Sequence, residues 1–167
     1  MRQAEVTNER VTVRPASSDD VPLILAFIRE LAEYERLAHT VDTTEACLQR
    51  TLFGQRPEAE VLIGEVDGEA VGLALFFANY STFKGRSGIY LEDLFVRPHA
   101  RGVGVGKALL REVARIAAAR GCVRLEWSVL DWNTPAIEFY RSLGAQPLDD
   151  WTVYRLTSEG IARLAGA

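Results

Sequence analysis

The sequence predicts an α/β fold built on a central mixed, mostly antiparallel twisted sheet flanked by helices. Three observations point there. β-rich runs at 11–14, 60–66, 70–78, 89–96 and 123–129 interleave with stretches whose apolar residues recur every three or four positions. An Asp67-Gly68 pair separates two of the β-rich runs, a strong signal for an antiparallel hairpin. A glycine-rich turn, Arg101 to Lys107, joins a strand to a helix.

Each element follows in order. Val11 to Arg14 alternates β-branched and polar residues before Pro15, and Ser17-Ser18-Asp19-Asp20 offers helix-capping side chains. The stripe Val21, Ile24, Leu25, Ile28 and Leu31 then predicts a helix to about Tyr34, with Pro22 tolerated in its first turn. A second helix is expected over Thr44 to Leu52, before the breakers Gly54 and Pro57. Strands Glu60–Val66 and Ala70–Ala78 form the hairpin, a turn-rich stretch covers Ser81 to Gly88, and Ile89–Val96 is the third strand of the meander. Leu109, Val113, Ile116 and Ala117 mark one face of a helix over Gly104 to Arg120, with Gly121 as its C-cap. Strand Val123–Val129, helix Thr134–Leu143, two short β-like segments around Gln146 and Val153, and a terminal helix from near Ser158 complete the chain. The order reads β-α-α-β-β-β-α-β-α-β ahead of that last helix.

With 167 residues the chain is expected to be a single domain, residues 1–9 forming a flexible tail. Its 48% apolar and 25% charged residues are those of a globular protein and exclude disorder. The longest apolar run, Val71 to Ala78, is far shorter than the roughly 20 residues that span a bilayer. Met1 to Arg10 lacks the apolar middle of a secretory signal, so a cytoplasmic location without membrane partners is expected. A net charge of −4 argues against nucleic acid, which needs a concentrated basic surface, and suits a cationic substrate better. Cys47 and Cys122 form no CxxC pair and read as buried small hydrophobes. The histidines, His39 and His99, are isolated, and no metal site is expected. Nor is a Ser-His-Asp or Cys-His arrangement apparent, which ranks direct attack above a covalent mechanism. Trp127, Trp132 and Trp151 read as core or dimer packing rather than as a stacking surface for bases.

The turn Arg101-Gly102-Val103-Gly104-Val105-Gly106-Lys107 lies where a phosphate binds well: backbone N–H groups and the positive end of the helix dipole face an anion, and glycines allow close approach. A Walker A loop would need glycine where Arg101 stands and Ser or Thr where Ala108 stands. A dinucleotide fingerprint would need glycine at Lys107 or Leu109. Both fail. The remaining pattern, [Q/R]-x-x-G-x-[G/A] on Arg101, Gly104 and Gly106, resembles the pyrophosphate-binding motif of the GNAT acetyltransferases.

The surrounding sequence extends that resemblance. Tyr90-Leu91-Glu92-Asp93-Leu94-Phe95-Val96 upstream, and Leu130-Asp131-Trp132-Asn133, Ala136, Phe139-Tyr140 and Leu143-Gly144-Ala145 downstream, are similar to the same superfamily. From the first strand, through Glu30-Leu31-Ala32-Glu33-Tyr34-Glu35, to Leu164-Ala165-Gly166 the chain resembles, more narrowly, the diamine (spermidine/spermine) and thialysine N-acetyltransferases. Tyr80 to Arg86 leans to the thialysine branch. Ser81 stands where the diamine enzymes carry an acidic residue, and Phe83 where they carry Trp, which favours a shorter amine or a lysine-like side chain.

The resemblance implies an acetyl-CoA-dependent N-acetyltransferase acting by direct attack, a homodimer, and roles for particular residues. An alkylammonium of pKa about 10 to 10.5 is protonated at neutral pH and cannot attack a thioester, so a base is required. The resemblance proposes Glu92 for it, through water, with Asp93 and Glu35 attracting the cation and Ser81 and Phe83 facing the substrate. Adjacent residues of a regular strand point to opposite faces, so Glu92 and Asp93 line one face only if a bulge intervenes. Tyr140 would protonate the departing thiolate, a role that competes with plain aromatic packing. The backbone of Leu94, Phe95 and Val96 would meet the pantetheine arm, a backbone N–H near Leu94 or Phe95 stabilising the tetrahedral oxyanion. Gly102, Val103, Gly104, Val105, Gly106 and Lys107 would follow Arg101 around the pyrophosphate. Ala136, Tyr140 and Asn133 would also touch the cofactor, Asn133 reading equally as an N-cap. Two rivals stay open: a non-catalytic acyl-CoA sensor, and an enzyme acting on a protein lysine or N-terminus.

Overall fold

The computed structural model describes residues 10–166, so the tail expected over 1–9 lies outside the described residues. The chain divides into two compact units that meet in sequence at Ser128/Val129. In the first, strands β1 (Val11–Pro15), β2 (Glu60–Val66), β3 (Glu69–Ser81), β4 (Arg86–Val96) and β5 (Leu125–Trp127) form one sheet in that order, with helices α1 (Val21–Tyr34), α2 (Glu45–Phe53) and α3 (Val105–Ala119). Successive strands pair antiparallel except β4 and β5, which are parallel because α3 carries the chain back between them. The sheet is mixed and mostly antiparallel, as predicted.

Local chemistry explains most boundaries. The Asp67-Gly68 turn has positive φ at both residues (51° and 83°), the conformation that matches strand twist in a two-residue hairpin. Thr44 caps α2 by accepting the Cys47 N–H at 3.2 Å. Asp20 closes a short turn before α1, its carboxylate taking the Ser17 N–H (2.7 Å) and both terminal nitrogens of Arg14 (2.8 Å each). β3 and β4 extend further toward their turn than expected: residues 86–88, read as part of a turn, pair as strand.

One face of the sheet packs on α1 and α2 through Ile24, Phe27, Leu48, Leu52, Ile63, Leu73 and Phe95. The other receives α3, which buries Val105, Leu109, Leu110, Val113 and Ala117. Gly64 makes that approach possible, since a Cβ there would stand 2.7 Å from Val105 Cγ1 and 3.1 Å from Leu109 Cδ1. β4 therefore runs between the two layers with both its faces occupied.

The second unit holds α4 (Thr134–Ser142) and α5 (Ser158–Ala165). Asn133 caps α4, accepting the Ala136 N–H at 3.4 Å, and Thr157 caps α5 in the same way at 3.3 Å. The β-like segments expected around Gln146 and Val153 are absent: residues 145–157 form no strand. Alternating composition does not make a strand without a neighbour to take its backbone hydrogen bonds. Trp151 (77% exposed), Val153 and Tyr154 lie open on this segment and Trp132 is also exposed, so of the core or dimer packing expected for these tryptophans the core alternative is not seen for Trp132 and Trp151. Cys47 and Cys122 are free and half-buried rather than fully buried. Among the described residues no helix is long and apolar enough to cross a membrane, and no three His, Cys, Asp or Glu side chains are grouped to hold a metal ion.

Candidate active site

The middle of β4 departs from a regular strand. Leu91 pairs with Phe76, but Asp93 pairs with Leu75, leaving Glu92 as an extra residue between them. This β-bulge resolves the parity problem of adjacent acids. Strict alternation would put Leu91 and Asp93 on one face, whereas their partners, being consecutive, face opposite sides. Asp93 thus turns toward the layer that holds α1, alongside Leu75 and two residues from Phe95, while Leu91 stays on the other side.

Three carboxylates share this neighbourhood. Burial first, then the charges of Glu92 and Glu35, push the Asp93 carboxyl up to about 6. Glu35, the C-cap of α1, is itself raised by burial. Every influence on Asp93 has the same sign, so a cation placed beside it would relieve both repulsion and desolvation. Glu92 is the exposed member of the three.

At the bulge β4 also parts from β5. Their register pairs are Ile89↔Leu125, Tyr90↔Glu126 and Leu91↔Trp127, and there β5 ends. The backbone of Glu92 to Val96 is held by β3 on one side and has no β5 partner on the other. Leu94, Phe95 and Val96 lie on this half, directly after the acids.

The glycine turn follows within a few residues. Arg101 donates from Nε to the Val96 carbonyl (2.9 Å), and its guanidinium stacks 4.7 Å from the Tyr34 ring centroid. Gly102 and Gly104 adopt φ of 83° and 101°, and a Cβ at either would meet no protein atom within 4 Å. They are therefore required for backbone conformation, and the space before them is open. Gly104 is the N-cap of α3 with no side chain capping it, and the first intrahelical bond is Ala108 N–H to Gly104 O (2.9 Å). The N–H groups of the first turn, Val105 to Lys107, are left for a ligand, at the positive end of a 15-residue helix. These features fit a diphosphate.

The remaining candidates lie elsewhere. Ser81 ends β3 and is buried, and Phe83 stands 97% exposed on the turn after it. Counting along β3 from Leu75, the partner of Asp93, Ser81 is six residues away, about 20 Å. Within one chain neither joins the acids. Asn133, Ala136 and Tyr140 belong to the second unit, where Asn133 is buried as the α4 cap and Ala136 and Tyr140 are half-buried on that helix. The Tyr140 ring lies 5.4 Å from that of Phe139. The stacking of Arg101 on Tyr34 was not read from the sequence; its one signal is an aromatic at the end of an amphipathic helix.

The fold of this chain recurs in known proteins. The fold matches the solved integron cassette protein of V. cholerae with a TM-score of 0.78, at 27% identity over 96% of this chain and 100% of that one. By sequence the chain is 41% identical to thialysine N-epsilon-acetyltransferase of Bos taurus over 167 residues, 93% of this chain and 98% of the relative. It is 33% identical to an L-ornithine N5-acetyltransferase of Arabidopsis thaliana, covering 89% of this chain and 85% of that protein. A model described as acetyltransferase (GNAT) family matches residues 25–145. The protein is an acyltransferase enzyme. More narrowly, the chain belongs to the acetyltransferase (GNAT) family and is an N-acetyltransferase.

Proposed function

We propose that this enzyme transfers the acetyl group of acetyl-CoA to the side-chain amine of a small lysine-like acceptor, of the thialysine or ornithine class. The observation that carries the reading is the bulge of β4, which sets Glu92 and Asp93 beside Glu35 at the point where β4 parts from β5. The relatives named for thialysine and for L-ornithine support the same acceptor class.

Acetyl-CoA supplies an activated thioester, held by its diphosphate at Gly102 to Lys107 and by its pantetheine along Leu94 to Val96. Asp93 and Glu35 attract the ammonium of the acceptor, and Glu92, the most accessible carboxylate, takes its proton through water. About three pH units separate that ammonium from neutrality, roughly 4 kcal/mol that the base must supply. The amine nitrogen then forms the new bond to the acetyl carbon and loses its second proton through the same water to solvent, the carbon–sulfur bond breaks, and Tyr140 gives a proton to the sulfur and is itself reprotonated from solvent. The test is amine-dependent thiol release with a panel of thialysine, ornithine, lysine, spermidine and a lysine peptide. Thialysine or ornithine is expected to lead. Turnover of the peptide alone would replace the acceptor, and tight acetyl-CoA binding without any transfer would make the protein a sensor. In the same assay Tyr140→Phe and Glu92→Gln should each lower kcat by about 10²-fold; unchanged turnover would remove the corresponding role.

We also propose a homodimer. Support comes from residues 148–156, which expose Leu148, Trp151, Val153, Tyr154 and Leu156 in the single chain, an apolar cost that association would offset. Light scattering at micromolar concentration should give about twice the 18.5 kDa of one chain; a monomer would end this part of the proposal.

A further inference from the structure

The segment that leads from β4 into the glycine turn is anchored at both ends, at Arg97 and Arg101, to one stripe of α1. Arg97, the residue after β4, donates from Nε to both Glu30 oxygens (3.2 and 3.0 Å) and from Nη2 to Oε1 (2.8 Å). Its Nη1 reaches the Ala70 carbonyl (3.3 Å), its backbone N–H the Val71 carbonyl (2.8 Å), and its guanidinium lies 4.7 Å from the Phe27 ring centroid. Four residues on, Arg101 stacks on Tyr34 and binds the Val96 carbonyl. Phe27, Glu30 and Tyr34 are spaced three and four apart, so they share a face of α1. The two arginines differ in what they leave over. Arg97 is turned inward onto protein groups of β3 and α1, and its charge faces Glu30. It is therefore not a phosphate ligand itself.

We propose that Arg97, held by Glu30, is a positioning residue for the acyl donor: it fixes where β4 ends and where the turn 98–104 begins, and so aims the N–H groups at the start of α3. The physical argument is one of leverage. An exposed ion pair adds little to stability, but a forked arginine braced by a ring and a carbonyl fixes orientation, and misplacement of a binding group by about 1 Å can cost up to 10²-fold. Because Pro98 to Ala100 forms only a single short turn, an error at Arg97 passes directly to Gly102 and Gly104. A lysine at 97 would keep the charge and lose the fork.

The inference rests on the reading of the glycine turn as the diphosphate site, and the experiment separates the two. Calorimetric titration with coenzyme A is run on the parent, Glu30→Gln, Arg97→Met and Arg97→Lys, together with steady-state kinetics and thermal melts. Glu30→Gln and Arg97→Met should each weaken coenzyme A about tenfold and raise the KM for acetyl-CoA to match, with Arg97→Lys between them and parent. At saturating donor, kcat and the KM for the amine should stay within about twofold. The double variant should bind no more weakly than Arg97→Met, since both changes remove one interaction. Coenzyme A affinity within about twofold of parent in every variant would overturn the proposal, as would parallel losses in kcat, amine KM and melting temperature, the pattern of a merely structural pair. A parent that binds no coenzyme A would instead overturn the donor-site reading on which it stands.

Discussion

Replacing Gly104 with alanine is expected to weaken coenzyme A binding by roughly one to two orders of magnitude while the fold survives. At φ 101° an L-residue is strained by about 1–3 kcal/mol, and the added Cβ would project into the open space before α3 rather than into the protein. Strain alone predicts a drop in melting temperature of a few degrees for a chain of this size. The loss of affinity comes from a second effect, because the methyl group occupies the approach that a diphosphate needs to reach the N–H groups of Val105 to Lys107. Gly121→Ala separates the two. Gly121 follows the other end of α3, has φ 67°, and also has nothing within 4 Å of an added Cβ. It should show the same melting shift with coenzyme A affinity unchanged, measured by calorimetry on both variants. Equal affinity in both would mean that the diphosphate binds elsewhere.

Replacing Asp93 with asparagine is expected to stabilise the protein at pH 8 and disable it at the same time. The carboxyl titrates at about 6 in the folded chain against an ordinary 3.8, chiefly because burial, then Glu92 and Glu35, oppose its charge. Between these values the folded state holds a proton that the unfolded state has released. Stability therefore falls as pH rises from about 4 to 6, and above 6 the charged group costs roughly 2–3 kcal/mol. Asparagine escapes that cost. Urea unfolding should give the variant an advantage of about 2 kcal/mol at pH 8, shrinking below about 1 kcal/mol at pH 4.5. The KM for the amine should rise more than about tenfold, because the cation loses the group it was to neutralise. A stability difference independent of pH would show that Asp93 carries no such strain. The combination is the expected mark of a binding group kept at the expense of the fold.

The structural reason the two acids can act together was only conditionally legible. The pair Glu92-Asp93 and its place on a strand could be read, and so could the rule that a bulge was needed. Whether one forms is decided by how β3 and β4 match faces over their whole length: Ile89 and Leu91 satisfy one side of the sheet, Phe95 the other, and the extra residue absorbs the change of parity. That is a property of two strands and two helical layers, not of seven residues.

What the sequence determined by itself was local. Periods of two and of three to four residues located the strands and helices, because they report which side of an element meets a core. The Asp-Gly turn, the cap at Asn133 and the conformation of the glycine turn follow from backbone chemistry within a few residues, whereas the caps at Thr44 and Thr157 were seen only in the structure. Tertiary structure decided the rest. It set the bulge, the end of β4–β5 pairing at Leu91, and the Glu30–Arg97 bridge across 67 residues of sequence. It also left Ser81 and Phe83 far along the hairpin from the acids, and residues 145–157 without the strand their alternation suggested. Each of these depends on which distant group arrives to satisfy a charge, a face or a backbone hydrogen bond, and no periodicity within a segment encodes that arrival.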